Sequence, residues 1–130
     1  MEIKIITHER VLYDGEAEKV IARDTQGEFE ILQNHVPCMK VLDTCAIQIF
    51  NNGDCFKFAT MGGILQLKDN QILVLTDIAE SGKEIDIERA KAALSRAEHR
   101  LKEMSAETDA KRAEAAKARA LARLKASLEI

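Results

Sequence analysis

Four arginines and one aspartate in the last third of the chain have the residue types and spacing of a ligand-binding site. Asp86, Arg89 and Arg96 stand at i, i+3 and i+10, which keeps them within one broad face of a helix. Arg119 and Arg123 stand at i and i+4 further along. Guanidinium groups match phosphate oxygens bidentately, and a carboxylate accepts hydrogen bonds from a ribose hydroxyl or a base amine. If the two segments fold back antiparallel, three or four guanidinium groups converge with one carboxylate and predict a nucleotide site.

The same residues also have a purely structural interpretation. Asp86 is in position to cap a helix, because its side chain can accept from the unpaired N–H groups of the first turn. The arginines would then be solvated or paired with glutamates. The spacing alone leaves both interpretations open.

Residue patterns for catalysis or metal binding are missing from the sequence. It contains no phosphate-binding G-x-x-x-x-G-K-[ST] and no G-x-G-x-x-G, and the isolated Gly62-Gly63 pair indicates a bulge or a close backbone approach. The three histidines lack the spacing of zinc ligands, and no Ser or Cys stands in a nucleophile motif. Cys38, Cys45 and Cys55 match no metal or redox motif, so we expect small buried hydrophobic residues. These observations predict a non-catalytic protein with no metal and no required cofactor.

Composition divides the chain into two kinds of material. All aromatic residues and the only proline lie in the first half, and no glycine follows Gly82. Residues 1–85 carry 14 acidic and 8 basic side chains, whereas residues 86–130 carry 8 acidic and 11 basic ones. The net charge of −3 argues against a nucleic-acid-binding protein. The basic end of the chain is expected either to meet an acidic partner surface or to form a solvated helix face.

The sequence also bears on membrane association. No apolar run approaches the ~20 residues that span a bilayer, and the N-terminus leads straight into an alternating pattern without a signal peptide. We therefore expect a soluble protein on the cytosolic side that meets a membrane only through its partners.

Up to about residue 77 the apolar residues recur with a period near two, which is typical of half-buried strands. Asn51-Asn52-Gly53-Asp54 is the strongest hairpin turn, because Asn and Gly tolerate the positive φ that tight turns require. Many short strands separated by turns predict an antiparallel β-sandwich or a flattened barrel, which we assign to residues 1–84. The expected strands include Val11–Tyr13, ending at Asp14-Gly15, Met39–Phe50 as one strand or a pair, and Cys55–Ala59 and Ile64–Leu67 as separate segments.

From Asp86 onward the apolar period becomes that of a helix. A phase shift near Ser105–Asp109 predicts two helices that form an antiparallel hairpin over residues 85–130. No Gly or Pro enforces the break, so one continuous helix is the alternative. Each predicted helix has an apolar stripe along one face. The first stripe is Ile87, Ala90, Leu94, Ala97, Leu101 and Met104, and the second is Ala113, Ala116, Ala120, Leu124 and Leu128.

The helical segment combines strong local helicity with weak packing. Ala, Leu, Arg, Lys and Glu dominate it, and these are the best helix formers. An alanine stripe nevertheless buries little area, at about 0.8 kcal/mol per buried CH₂. This favours an arm that can leave its domain and remain helical, and the alternative is a permanently docked hairpin.

Three stretches of the sequence together resemble the epsilon subunit of bacterial F-type ATP synthases. Gly27-Glu28-Phe29-Glu30-Ile31-Leu32-Gln33-Asn34-His35-Val36-Pro37 is similar to that family's GEFGILPxHxP segment, with departures at Glu30 and Gln33. Met61–Leu65, Asp69-Asn70 and Val74–Glu80 resemble its GGFxEVxxNxVxILADxAE segment. Ile85–Ala90 matches its IDxxRA motif. The likeness runs in the right order over nearly the whole chain.

The resemblance implies a non-catalytic rotor subunit that couples the catalytic head to the membrane c-ring. Its partners would be the gamma subunit and the c-ring, and the catalytic alpha and beta subunits when the helices extend and restrain ATP hydrolysis. Such a complex moves protons or sodium ions at the cytoplasmic face of the bacterial plasma membrane. The partner contacts expected in this chain are Glu28, His35, Lys117, Arg119, Arg123 and Lys125.

In some bacterial members of that family, ATP binds the folded hairpin as a regulatory ligand and favours the docked state. A stand-alone ATP-binding sensor or adaptor with the same two parts is the alternative function. The residues of this chain at the matching positions are Glu80, Ile85, Asp86, Arg89, Ala90, Arg96, Arg119 and Arg123.

Overall fold

The computed structural model describes residues 1–103 and 107–127, which form eight strands followed by two helices. A short 3-10 helix, Gly82–Glu84, joins the strands to the helices. The strands are β1 (Glu2–Ile6), β2 (Val11–Glu16), β3 (Lys19–Asp24), β4 (Gly27–Leu32), β5 (Cys38–Asn51), β6 (Asp54–Lys68), β7 (Gln71–Leu75) and β8 (Ala79–Ser81), and the helices are α1 (Ile87–Glu103) and α2 (Glu107–Ser127).

The strands pair in the order β2-β1-β7-β6-β5-β3-β4, and β8 pairs with β6. Ile3 of β1 and Val20 of β3 stand near opposite ends of this order but belong to one buried core, so the sheet folds over on itself as a sandwich. Among the described strands every pairing is antiparallel except β1 with β7, which is parallel. The predicted fold class, a β-sandwich followed by a two-helix hairpin, is confirmed.

The two longest strands settle one alternative and correct one prediction. Of the two alternatives for Met39–Phe50, the single strand is confirmed, since this stretch lies within β5. The two segments expected between Cys55 and Leu67 are instead one strand, β6. Gly62 and Gly63 both have positive φ, 82° and 131°, within β6. There β6 exchanges its partner β8 for β7, and a Cβ on Gly63 would crowd the carbonyl oxygen of Leu75. The glycines therefore allow the expected close backbone approach without ending the strand.

Two smaller expectations about the sandwich need correction. The strand that begins at Val11 does not end at Asp14-Gly15 but continues to Glu16, because Gly15 pairs with Ile3 in β1. Of the three cysteines only Cys45 is buried, whereas Cys38 and Cys55 are half-buried. The predicted hairpin turn is confirmed, with φ of 51° at Asn52 and 81° at Gly53 between β5 and β6.

The helical part begins as the sequence predicts. Asp86 caps α1, since its Oδ1 accepts a hydrogen bond from the backbone N–H of Arg89 at 3.1 Å. The C-terminal turn of α2 lies against Gly82, just before α1 starts, so the helices run antiparallel. The first stripe buries Ala90 and Ala97 and the second buries Ala113 and Ala120. Met104 and Leu128, predicted members of the stripes, lie outside the described residues, as does part of the predicted break at Ser105–Asp109.

The hairpin contacts the sandwich through α2, which packs on β5 and β6 while α1 packs on α2. Ala122 and Ala126 are buried against Ala46 and Ala59, with Met61 and Ile85 at the edge. Gly82 lies so close to α2 that a Cβ atom there would overlap the carbonyl oxygen of Ala126. This second alanine face of α2 was not predicted. No helix among the described residues is long and apolar enough to cross a membrane.

Candidate functional site

A cleft of about 430 Å³ lies where the sandwich, α1 and α2 meet. Seven of the eight residues predicted to bind ATP line it, and only Arg119 does not. Glu84 and Ala93 also line the cleft and were not predicted. The seven are Glu80, Ile85, Asp86, Arg89, Ala90, Arg96 and Arg123.

Local structure explains why the residues of α1 meet in the cleft. Arg89, Ala93 and Arg96 stand at i, i+4 and i+7, so that they lie on one face of α1. Asp86 both caps the helix and lines the cleft, and the two interpretations of this residue are therefore compatible. Ala90 is buried beneath that face. Small residues between the two arginines leave open space in which their guanidinium groups can meet a ligand.

Arg123 reaches the cleft from α2 and is held there by Glu80 of β8. Its Nε donates to Glu80 Oε2 at 2.9 Å and its Nη2 donates to Glu80 Oε1 at 3.1 Å. Both side chains are about one-third exposed, at 31% and 34%. This two-bond fork joins the helical arm to the sandwich.

The other two carboxylates of the cleft also have partners, but two of its arginines have no ionic partner in the described part of the chain. Glu84 pairs with Arg10, at 3.2 Å between Oε2 and Nη2, and Asp86 accepts from the backbone of α1. Within residues 1–103 and 107–127, neither Arg89 nor Arg96 forms an ion pair. The N-terminal end of α1 adds the partial positive charge of the helix dipole. The cleft therefore offers two unpaired guanidinium groups to an anion.

Arg119 does not join the other arginines. It is exposed on α2, one turn and about 6 Å nearer the tip of the hairpin than Arg123. Three guanidinium groups thus converge, those of Arg89, Arg96 and Arg123, and the fourth faces solvent.

The remaining residues expected to contact partners are dispersed. Lys125 forms an ion pair with Glu28 of β4, at 3.6 Å, between half-exposed side chains. Lys117 is half-buried on α2. His35 is exposed in the loop after β4, and its Nδ1 lies 2.8 Å from the carbonyl oxygen of Val36. None of these residues lines the cleft.

Groups suited to covalent or metal chemistry do not assemble in the described part of the chain. No cluster of three or more His, Cys, Asp or Glu side chains there could hold a metal ion. Burial raises the pKa of the Cys45 thiol, and burial also raises the pKa of Cys55, so neither is an activated nucleophile.

A row of five apolar side chains, four of them exposed and Ile6 half-buried, crosses five strands of the sandwich, and the sequence reasoning missed it. Val11 pairs with Ile6, Ile6 with Leu75, Leu75 with Ile64, and Ile64 with Val41, so all five share one face. Val41 is 69% exposed, Val11 52%, Leu75 47% and Ile64 44%. A signal was present, because Ile5-Ile6, Ile64-Leu65 and Val74-Leu75 are consecutive apolar pairs, and such a pair makes both faces of a strand apolar. Exposed apolar patches of this kind mark interaction surfaces.

The sandwich and the docked helical hairpin define the class of this protein, a β-sandwich domain followed by a helical arm. Family models match both parts. Residues 1–82 match the beta-sandwich domain of the ATP synthase delta/epsilon chain, and residues 83–127 match the long alpha-helix domain of the same chain. The chain belongs to this family of ATP synthase subunits, so the resemblance and the non-catalytic assignment are confirmed.

Individual relatives carry the name ATP synthase epsilon chain. The chain is 47% identical to that of Brevibacillus brevis over 107 residues, which cover 82% of this chain and 81% of the relative. It is 40% identical to that of Desulforamulus reducens over 99 residues, covering 76% and 75%. It is 34% identical to the ATP synthase epsilon chain of Synechococcus elongatus over 102 residues, which cover 78% of this chain and 74% of the relative.

Solved structures share the fold at low sequence identity. One is a chain of the Euglena gracilis mitochondrial ATP synthase, OSCP/F1/c-ring, with a TM-score of 0.83, 20% identity and coverage of 98% of this chain and 80% of that one. Another comes from the central stalk/c-ring of the Tetrahymena thermophila mitochondrial ATP synthase, with a TM-score of 0.66, 16% identity and coverage of 98% and 96%.

Proposed function

We propose that this chain is a central-stalk subunit of a bacterial F-type ATP synthase whose helical arm restrains ATP hydrolysis, and that ATP holds the arm docked. The complex would lie at the cytoplasmic face of the plasma membrane. Membership of the delta/epsilon family supports the assembly, and the solved chains of similar fold come from F1/c-ring and central-stalk complexes. The regulatory part rests on one observation: the cleft is built jointly by the sandwich, α1 and α2.

The apolar row supports attachment to a rotor partner through the sandwich. Val41, Ile64 and Leu75 lie side by side on three neighbouring strands and are exposed. Covering such a row stabilises a complex by about 25 cal/mol per Å² of apolar surface removed from water. We assign this face to the gamma subunit. We assign the loop that contains His35 and Val36 to the c-ring. Val36 is 71% exposed.

The contact between arm and sandwich is small enough for the arm to be released. Its buried centre is four alanines, Ala46, Ala59, Ala122 and Ala126. At about 0.8 kcal/mol per buried methyl group, they contribute about 3 kcal/mol to docking. Partly exposed ion pairs such as Lys125–Glu28 add between 0 and about 1 kcal/mol each. An equilibrium of this size is within reach of a ligand or a partner subunit.

Released helices would keep their structure and gain reach. Each is rich in strong helix formers, and the 21 residues of α2 span about 32 Å at ~1.5 Å per residue. The basic side chains of α2, including Lys117 and Arg119, would then meet acidic surface on the catalytic subunits. This contact is the proposed restraint on hydrolysis.

ATP would oppose release because its site exists only in the docked hairpin. Arg89 and Arg96 of α1 lie across the cleft from Arg123 of α2 and Glu80 of β8. A ligand that binds only the docked state stabilises it by about 2.7 kcal/mol at a hundred times its dissociation constant. That amount is comparable with the docking energy, so nucleotide would change the position of the arm.

The test compares ATP hydrolysis by the reconstituted complex carrying either the full chain or a chain that ends after Glu84. We expect the shortened chain to remain bound, because the apolar row is intact, and the hydrolysis rate to rise. Co-sedimentation of the shortened chain with the complex is the control. Equal rates with the shortened chain bound would refute the inhibitory arm and leave only the attachment function.

A further inference from the structure

The fork between Glu80 and Arg123 lies in the cleft where the nucleotide is proposed to bind. The two carboxylate oxygens of Glu80 accept hydrogen bonds from Nε and Nη2 of Arg123, at 2.9 and 3.1 Å. This is the edge of an arginine that binds two oxygens of a phosphate in the same planar fork. A phosphate and the Glu80 carboxylate therefore cannot both occupy it.

We propose that Glu80 is an internal competitor of the nucleotide phosphates for Arg123, and this inference rests on the proposed nucleotide site. Without nucleotide, the Glu80 carboxylate takes the place of a phosphate and ties α2 to the sandwich. When nucleotide binds, its phosphates meet Arg89 and Arg96 and displace Glu80 from Arg123. The nucleotide, bound between the sandwich, α1 and α2, then holds the arm docked in place of the fork.

This assignment reverses the role that family resemblance implies for Glu80. A glutamate that contacts ATP as a ligand supports binding, so removing its charge weakens the affinity. A glutamate that occupies an arginine needed by the phosphates opposes binding, so removing its charge strengthens the affinity. The sign of a single substitution distinguishes the two roles.

The cleft offers a matched control in Glu84. Both carboxylates line the cleft, and each is held by an arginine. The partner of Glu84 is Arg10, which does not line the cleft. Neutralising either glutamate changes the charge of the cleft equally, but only Glu80→Gln frees an arginine inside it.

The experiment is calorimetric titration of the full-length chain with ATP, comparing the unsubstituted protein with Glu80→Gln and Glu84→Gln. We expect Glu80→Gln to bind ATP about tenfold more tightly, which corresponds to about 1.4 kcal/mol. Glu84→Gln should change the affinity less than about threefold, as expected for screened charges near a surface. Weaker binding by Glu80→Gln, or equal effects of the two substitutions, would overturn the competition.

Failure of the competition and failure of the nucleotide site give different results. If the unsubstituted chain binds ATP and Glu80→Gln binds no more tightly, only the competition is wrong. If Glu80→Gln binds ATP and the unsubstituted chain does not, the competition stands and the proposed ATP response of the natural chain is wrong. If none of the three proteins binds ATP, both proposals fail.

A second measurement needs no substitution. ATP added to the unsubstituted protein should shift the NMR signals of the Arg123 side-chain N–H and of the Glu80 carboxyl carbon together. Binding of ATP that leaves both signals in place would overturn the competition.

Discussion

Replacing Gly82 with alanine should release the arm while leaving the sandwich intact. A Cβ atom on Gly82 would overlap the carbonyl oxygen of Ala126 and lie 2.9 Å from its carbonyl carbon. Both are backbone atoms of α2, so no side-chain rotation relieves the overlap and the last turn of the helix must move away. The φ angle of Gly82 is outside the left-handed region, so alanine adds no backbone strain. The next nearest atom, the carbonyl oxygen of Lys57 in β6, is 3.3 Å away, so most of the overlap is with α2 and is relieved by undocking.

The size of the effect follows from what the displaced turn loses. Overpacking of this kind costs about 1–3 kcal/mol, and the displacement also loosens Ala122 and Ala126, two of the four alanines that contribute about 3 kcal/mol to docking. We therefore expect docking to weaken by about 2–3 kcal/mol. At 1.4 kcal/mol per factor of ten, the undocked population rises from about 1% to between about one-sixth and one-half.

The assay is NMR of the alanine methyl groups in the isolated chain. In Gly82→Ala the signals of Ala122 and Ala126 should broaden or split, whereas the signal of an alanine in the sandwich core, Ala22, stays in place. Gly15→Ala is the control, because Gly15 also lies outside the left-handed region and the three atoms nearest to its added methyl all belong to the Tyr13 side chain, at 3.3 Å or more. Unchanged Ala122 and Ala126 signals in Gly82→Ala would refute the close packing of α2 on this glycine.

Two further predictions concern Arg119 and Cys45. Arg119→Ala should change ATP affinity less than about twofold, whereas Arg123→Ala should weaken it about tenfold, because of these two arginines only Arg123 lines the cleft. Calorimetric titration with ATP measures both affinities, and equal losses would contradict the placement of Arg119. Burial raises the pKa of the Cys45 thiol, so iodoacetamide should modify Cys45 more slowly in the folded chain than in urea at pH 8, as mass spectrometry would show. Because the folded state binds this proton more tightly than the unfolded state, Cys45 adds to the free energy of unfolding at pH values below the ordinary thiol pKa of about 8.5. This contribution is lost as the pH rises from that value through the raised pKa of the folded chain. Modification at the unfolded rate would contradict the burial.

Much of the architecture follows from local patterns that the sequence shows directly. Alternation with a period of two predicts strands, and the change to a helical period at Asp86 predicts where they give way to helices. The turn at Asn52-Gly53 and the cap at Asp86 depend on one residue and its immediate neighbours, so both could be predicted. The break predicted between Ala59 and Ile64 was wrong, because Gly62 and Gly63 adopt positive φ within a strand whose pairing with β5 continues on both sides of them.

The cleft shows where local patterns stop being sufficient. The arginines of α1 could be grouped from their spacing, since a helix places i, i+4 and i+7 on one face. Arg119 and Arg123 are also one turn apart, yet only Arg123 enters the cleft. Which of them does so depends on how α2 is rotated, and that rotation is decided by its second alanine face, Ala122 and Ala126, packing on the sandwich.

The sequence by itself therefore determined the two-part fold, its turns and caps, the family and most of the residues around the cleft. The tertiary structure alone decided that Arg123 pairs with Glu80, that Gly82 contacts Ala126, and that four exposed residues and the half-buried Ile6 line up in one apolar row. The four are Val11, Leu75, Ile64 and Val41. The physical reason is sequence separation. Periodicity reports which side of an element is apolar, whereas most of these contacts join residues more than twenty positions apart, and their register is set by packing of the whole chain.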